Sequence, residues 1–199
     1  MKQPVKRKLW HKSAVVEMDR TVEEYNAGRD VQYDQQLVPY DVVGSLAYAK
    51  MLHKFGILDD KELKDLEKGL GEIKKLHADG KFIVTIEDED CHTAIEHYLV
   101  ANYGDVGKKI HTARSRNDQV LVTERLFIRD KLGKIRDLAV KAALEFATTA
   151  KKYEFIPMPG YTHTQKAMPS SVGMWLASFA EGIYDDIRFL DNVASINNQ

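Results

Sequence analysis

Three short polar segments carry most of the side chains that could do chemistry. The segment at residues 158–165, MPGYTHTQ, places His163 among the hydroxyl groups of Tyr161 and Thr162. A histidine flanked by hydroxyls at the mouth of a helical bundle is a candidate for acid–base chemistry. A loop histidine can equally be a merely solvated side chain. Pro159 followed by Gly160 predicts a turn within this loop.

The segment at residues 111–119, HTARSRNDQ, combines two hydroxyls, two arginines, an amide and a carboxylate. Arginine offers a fork of N–H groups that binds carboxylates, and Asn117 can both donate and accept hydrogen bonds. A helix that starts here adds backbone N–H groups. The combination suits a small substrate with several carboxylates, although an exposed loop could have the same composition.

The segment at residues 87–96, EDEDCHTAIE, leads into another helix. Asp90 can cap that helix, which puts His92 in its first turn and directs it into a polar site. The alternative is a solvated acidic loop that ends in a helix cap. Cys91 is interpreted as a small buried apolar side chain. As the only cysteine, it excludes an intramolecular disulfide and a multi-cysteine metal cluster.

Helices are the elements expected to position these segments. No proline occurs from residue 40 to residue 156, which permits helices, and apolar periodicity then indicates them. Apolar spacing predicts a helix over residues 41–55. Asp59 and Glu62 resemble an acidic capping box, followed by a helix that Gly80 ends. Residues 81–86 form a connector or a short strand. The helix that Asp90 caps should end near Gly104.

Two long amphipathic helices follow. The first is predicted over residues 118–152, and the second starts at Ser170 or Ser171 and repeats apolar residues through Trp175 and Phe179. Two such helices cannot fully bury their apolar faces against each other, so a bundle needs further partners. These would come from other subunits or from chain absent here. Self-association, or poor solubility without it, is therefore expected.

Composition excludes several classes of protein. The 199 residues have a net charge of -1, which argues against a protein built mainly to bind nucleic acid or an anionic membrane surface. Hydrophobic residues make up 44% of the chain, too many for a disordered protein. Neither a membrane span nor a secretory signal is expected. The basic residues at positions 2–12 are interpreted as a solvated tail. A cytoplasmic globular protein is predicted.

Taken together, these segments resemble argininosuccinate lyases of the fumarase/aspartase superfamily. The resemblance runs from KLW at residues 8–10 through DVVGSLAYAKML, EDEDCHTAIE and GKKIHTARSRNDQV to MPGYTHTQKAMPSS. It implies an all-α fold with an N-terminal helical domain at residues 1–110 and a partial helical-bundle domain at residues 111–199. It also implies β-elimination of fumarate from argininosuccinate to give arginine.

The resemblance assigns roles to individual residues. His163 matches the catalytic histidine, Thr162 would hold a fumaryl carboxylate, and Asn117 would bind substrate beside Ser115 and Arg116. His92 matches a histidine that faces the same pocket. The family implies a homotetramer whose active sites combine segments of different subunits, and no cofactor or metal is expected.

The sequence also departs from the family pattern. The family's third signature region, a serine-rich loop with the catalytic serine, is not among these residues, so we expect an N-terminal half of a lyase that is inactive alone. His11, Lys12 and Ser13 replace a usual Gly-Gly-Arg, and residues 25–30 lack a usual Asn-Ala-Ser. Ala113 replaces a common glycine and Thr164 a common leucine. Two alternatives remain. One is a catalytically silent helical assembly module, and the other is a related lyase that acts on another succinyl adduct, for which an N-acylated compound is one candidate.

Overall fold

The structure, a computed structural model, describes residues 19–198. Eight helices and one two-stranded sheet are found among them. In chain order these are α1 (Arg20–Ala27), α2 (Asp30–Asp34), α3 (Val38–Lys54), α4 (Asp60–Ala78), α5 (Cys91–Tyr103), α6 (Val106–Lys109), α7 (Arg116–Lys152), β1 (Pro157–Thr162), β2 (Gln165–Ser171) and α8 (Val172–Asn197). The predicted all-α class is confirmed, with one small hairpin added. The basic tail, KLW and the change at residues 11–13 lie outside the described part.

The chain divides into two compact units between Leu126 and Phe127. The first unit, residues 19–126 as described, holds a core built by α3, α4 and α5. Its fully buried side chains include Leu52, Leu66, Leu70, Ile73, Ile95 and Leu99. The second unit consists of the rest of α7, the hairpin and α8. No helix of the described residues is long and apolar enough to cross a membrane.

Local capping sets the ends of the helices in the first unit. The predicted capping box of α4 is confirmed, because Asp59 accepts from the Glu62 N–H and the Glu62 side chain accepts from the Asp59 N–H. The predicted α5 is confirmed as well. Asp90 accepts from the Thr93 N–H at 2.6 Å, and the helix ends at Gly104 with a φ of 72°. Residues 81–86 form a connector and contain no strand.

Helix α7 begins two residues before its predicted start. The Ser115 hydroxyl accepts from the Asn117 N–H at 3.2 Å, and the Asp118 carboxylate accepts from the Ser115 N–H at 3.2 Å. This reciprocal arrangement satisfies N–H groups that a helix start leaves open, so the helix begins at Arg116. It runs for 37 residues.

The segment predicted as a loop with a turn at Pro159 and Gly160 is an antiparallel hairpin, so that turn prediction was wrong. Pro159 pairs with Pro169 inside the sheet, and the register shifts just after it. The turn lies instead at His163 and Thr164. Gly160 is required within β1, because a Cβ there would lie 2.7 Å from the carbonyl oxygen of Met168.

Helix α8 starts where the sequence predicts. The Ser171 hydroxyl accepts from the Met174 N–H at 3.0 Å. Gly173 lets α8 approach the end of α7 closely, since a Cβ there would lie 2.4 Å from the Glu154 Cα. Phe146 on α7 stacks on Phe179 of α8 with ring centroids 5.4 Å apart.

Large apolar side chains remain exposed on both long helices within the second unit. They include Ile135, Leu138, Leu144, Met174, Trp175, Tyr184 and Phe189. Leu138 is 65% exposed and Phe189 is 69% exposed. The predicted surplus of apolar helix surface is therefore present in the described residues.

Candidate functional site

The start of α7 displays the polar residues that the sequence singled out in the first unit. Ser115 and Asn117 are exposed, and the Asn117 side chain is free to meet a ligand. Arg116 is half-buried and oriented by its neighbours. Its Nη1 donates to the Gln119 Oε1 at 2.9 Å and its Nη2 donates to the Thr93 Oγ1 at 3.4 Å. The guanidinium is therefore held in place before any ligand arrives.

A buried group of polar side chains lies behind Arg116. We call it the Asp41 cluster, and it consists of Asp41, Ser45, His92 and Gln119. The Asp41 carboxylate accepts from the His92 Nδ1 at 2.8 Å and from the Ser45 hydroxyl at 2.9 Å. It also accepts from the Gln119 Nε2, which lies 3.0 Å from both oxygens. Every member is at least nine-tenths buried, so these bonds are shielded from water.

Charge and burial at the Asp41 cluster fix its protonation. Burial, the largest single influence, would raise the pKa of Asp41. Several interactions together outweigh burial, so the pKa of Asp41 lies below its usual value. They are the hydrogen bond and charge attraction of His92 and the hydrogen bonds from Gln119 and Ser45. An ionised carboxylate only accepts, so Gln119 must turn its NH2 group toward Asp41 and its oxygen toward Arg116. The cluster thereby orients Arg116 through Gln119.

His92 was predicted to contact substrate. The structure places it in the Asp41 cluster, 3% exposed. Cys91, fully buried as predicted, has its sulfur 3.7 Å from the His92 Nδ1. This contact is unusual, because consecutive side chains on a helix do not normally face each other. Burial raises the pKa of the Cys91 thiol, so the thiolate is disfavoured.

Asp41, Cys91 and His92 also bring three possible metal-ligand atoms within 4.8 Å of one another. The chemistry of this donor set fits a metal poorly. Both oxygens of Asp41 already accept hydrogen bonds, the His92 Nδ1 is engaged, and the thiol is protonated. A divalent ion would have to displace all of these contacts.

A cavity of about 590 Å³ opens beside the first turns of α5. Its lining includes residues of α5, α6 and the start of α7 together with the α5 N-cap and the segment between α6 and α7. Among them are Asp90, Thr93, Glu96, Lys108, His111 and Arg116. Burial lowers the pKa of His111, and the positive charges of Arg116 and Arg114 add to that effect. These influences favour the neutral form of the His111 imidazole.

In the second unit, Thr162 and His163 lie at the exposed tip of the hairpin. Thr162 pairs with Gln165, which leaves His163 and Thr164 as a two-residue turn with φ values of 48° and 64°. Positive φ at both positions matches the primed hairpin turn, in which Asn-Gly is favoured and a β-branched threonine is strained. Strain of this kind accumulates where a side chain is held for function.

The structure thus groups Ser115, Arg116 and Asn117 at one helix start, places His92 behind them, and places Thr162 and His163 on the tip in the other unit. Sequence reasoning missed Asp41 and Gln119. Asp41 lies in the first turn of α3, where acidic side chains are common, so its position alone did not mark it as part of a buried cluster.

Comparison with known proteins identifies the class of protein. A family model described as lyase matches residues 13–198, and the chain belongs to this lyase family. It is 42% identical over 192 residues to the argininosuccinate lyase of Thermotoga neapolitana, covering 96% of this chain and 48% of that protein.

Solved structures support the same fold. A fumarate lyase:delta crystallin from Brucella melitensis aligns with a TM-score of 0.75 at 16% identity, over 90% of this chain and 45% of that one. An EDDS lyase variant with bound fumarate aligns with a TM-score of 0.66 at 25% identity, over 86% of this chain and 32% of that one. The chain therefore spans about half, or less, of the length of these relatives.

Proposed function

We propose that this chain carries the histidine and the Ser-Arg-Asn segment of a carbon–nitrogen lyase that releases fumarate from argininosuccinate in arginine biosynthesis. The observation that carries the proposal is the 42% identity to an argininosuccinate lyase over nearly the whole chain. The bound fumarate of a 25% identical EDDS lyase supports fumarate as the product. A cytoplasmic location is part of the proposal and rests on the sequence reasoning.

In this proposal the exposed residues act directly. His163 takes part in proton transfer at the carbon next to a succinyl carboxylate, from the strained tip that holds it away from the sheet. Thr162 holds a carboxylate of the fumaryl group. Ser115, Arg116 and Asn117 bind the substrate, with the guanidinium and the helix start stabilising the negative charge that develops.

His92 has a different place in this scheme. We propose that it contributes to substrate binding from behind the start of α7. Its Nδ1 bond to Asp41 maintains the cluster that orients Arg116 through Gln119. Direct contact of His92 with a substrate would require its Nε2 edge to become accessible.

Complementation tests the lyase proposal. The 199-residue chain is mixed with the remaining half of the Thermotoga neapolitana enzyme, and fumarate release from argininosuccinate is followed by absorbance. We expect no turnover by the chain alone and restored turnover in the mixture. His163→Asn should lower that rate by about 10²–10⁴-fold, the usual range for a lost general acid–base group.

His53→Asn is the matched control, because His53 is a partly exposed histidine that pairs with Asp60 at 2.8 Å. It should leave the restored rate unchanged. Turnover by the isolated chain would refute the expectation that further segments are needed. Equal rates for the His163 and His53 variants would refute the catalytic assignment.

The exposed apolar faces of α7 and α8 favour a second role, assembly into a homo-oligomer, which is a tetramer in our proposal. Leu138 and Phe189 would be covered by other copies or by further helices. Sedimentation of the purified chain checks this, and Leu138→Lys with Phe189→Lys should shift the chain toward monomer. A monomeric parent chain would refute self-association.

The identity of the substrate is also a proposal, and the sequence change at residues 28–30 bears on it. Gly28 ends α1 with a φ of 49°, at the position where the family usually carries a serine-containing substrate segment. We propose argininosuccinate as substrate, with an N-acylated adduct as the alternative that this change favours. Competing the two compounds in the complemented enzyme distinguishes them.

A further inference from the structure

The cavity beside α5 contains a buried carboxylate that the proposed lyase reaction does not use. Glu96 is only 8% exposed and lines the cavity of about 590 Å³. Among residues 19–198 it has no hydrogen-bond or ion-pair partner. Burial raises the pKa of Glu96, opposed mainly by the positive charge of Arg116. The Glu96 oxygens are not fully enclosed, because they are not among the buried side-chain atoms that lack a partner. Since Glu96 lines the cavity and no described residue donates to it, its carboxylate is suited to a ligand that donates hydrogen bonds.

The Arg116 guanidinium faces the same cavity and forms no ion pair with Glu96 among the described residues. Within residues 19–198, two of its five N–H groups donate to protein acceptors, Gln119 and Thr93, and its Nε lies 3.9 Å from Asp90. The guanidinium therefore keeps donors for a ligand carboxylate. Lys108, the other cation in the lining, is engaged by Asp105 at 2.6 Å.

Glu96 and Arg116 define the class of ligand, because the other charged groups of the lining already interact within the protein. Asp90 caps α5 through the Thr93 N–H, Lys108 pairs with Asp105, and Glu89 has an interaction of its own. A dicarboxylate would pair with Arg116, but its second carboxylate would be repelled by Glu96. A diamine would pair with Glu96, but its second ammonium group would be repelled by Arg116. A metal ion does not fit either. The described residues bring three possible metal ligands together only at Asp41, Cys91 and His92, which do not line this cavity. A ligand with one ammonium group and one carboxylate can pair with both Glu96 and Arg116.

We propose that this cavity binds a free α-amino acid, with its ammonium group on the Glu96 carboxylate and its carboxylate on the Arg116 guanidinium. Thr93 and His111 supply further polar contacts, and the volume leaves room for a side chain. The site is separate from the chemistry proposed at His163, although Arg116 is common to both proposals. The experiment must therefore distinguish them.

Binding is measured on the 199-residue chain by ¹⁵N NMR. The probes are L-alanine, L-leucine and L-arginine, with propionate and ethylammonium as compounds that each lack one charged group. We expect amino acids to shift the signals of Thr93, Glu96 and the Arg116 Nε–H with millimolar or tighter dissociation constants. Each one-charge probe should bind at least about tenfold more weakly, the equivalent of one lost charged hydrogen bond.

Variants of Glu96 test whether its carboxylate binds the ammonium group of the ligand. Glu96→Gln keeps the shape and removes the charge, and should weaken amino-acid binding about 10–100-fold. Glu67→Gln is the control, since Glu67 forms a surface pair with Lys50 at 3.6 Å. It should leave binding unchanged. If Glu96→Gln does not fold, Glu96→Asp replaces it, with weaker binding expected because the carboxylate is withdrawn by one methylene.

Three outcomes overturn the inference: no amino acid shifts these signals at about 10 mM, a concentration that detects millimolar binding; propionate binds as well as L-alanine; or Glu96→Gln binds as tightly as the parent. Fumarate is titrated separately as the probe of the lyase site. Fumarate binding without amino-acid binding rejects this inference and leaves the lyase proposal in place. Amino-acid binding at these residues in a chain that complementation leaves inactive supports this inference and rejects the lyase proposal.

Discussion

Two aspartate–histidine pairs in the first unit have the same length and opposite environments. Asp41 and His92 are 2.8 Å apart, with side chains 1% and 3% exposed. Asp60 and His53 are also 2.8 Å apart, with side chains 87% and 35% exposed. Replacing each aspartate with asparagine therefore compares a buried with an exposed pair at the same N–O distance.

Asp41→Asn should lower the free energy of unfolding by about 3–5 kcal/mol, the usual cost of breaking a buried pair. The asparagine amide would present N–H groups to three donors, from Ser45, His92 and Gln119, and at least one of them would lose its acceptor. One such loss costs about 1–3 kcal/mol. Asp60→Asn should cost less than about 1 kcal/mol, because water screens and replaces an exposed pair.

Urea unfolding, followed by far-UV circular dichroism at one protein concentration, measures both variants. Hydrogen exchange of amides on α3 and α5 assigns the change to the first unit. The pKa of Asp41 is lowered in the folded state, so its stabilisation is complete above the ordinary value of 3.8 and is lost as the pH falls through the folded value. The deficit of Asp41→Asn should therefore shrink in acid. Equal losses for the two variants at neutral pH would refute the role given to burial.

Three backbone predictions follow from positions of unusual geometry. Ala113 has a φ of 58°, so Ala113→Gly should raise unfolding free energy by up to about 1 kcal/mol in urea titrations, and a loss would contradict the strain. Gly173→Ala should cost about 2 kcal/mol or more, because its Cβ would meet the Glu154 backbone. Gly182→Ala, in open space on the same helix, should stabilise by about 0.5–1 kcal/mol, and similar thermal shifts for the two alanines would be inconsistent with the contact. Thr164→Gly should slow hydrogen exchange in the hairpin by about fivefold for about 1 kcal/mol of relieved strain, whereas faster exchange would show that threonine fits the turn.

Local rules predicted much of this fold. The cap at Asp59, the bounds of α5 at Asp90 and Gly104, and the start of α8 at Ser171 all depend on residues within four positions of each other. Such contacts can be read from spacing alone. The missed helices α1, α2 and α6 have eight, five and four residues, too short for a periodic pattern to emerge.

The hairpin and the Asp41 cluster could not be predicted by the same rules. Pro159 and Gly160 form a common turn pair, but here they pair within a strand, and the turn uses His163 and Thr164. His-Thr is not a sequence that favours a primed turn. The contacts of Asp41 with His92 and Gln119 span 51 and 78 residues, and only tertiary packing brings them together.

Those two spans have a consequence for synthesis. A chain grows from its N-terminus, and contacts between distant positions must wait for the later partner and bear the cost of closing a long loop. Asp41 and His92 can pair while the ribosome is still translating, but the amide that completes the carboxylate's partners arrives only with Gln119, after α3, α4 and α5 have emerged. Until then Asp41 lacks one of the donors that it has in the folded unit. The Asp41 cluster can therefore be completed only after the start of α7 has been synthesised.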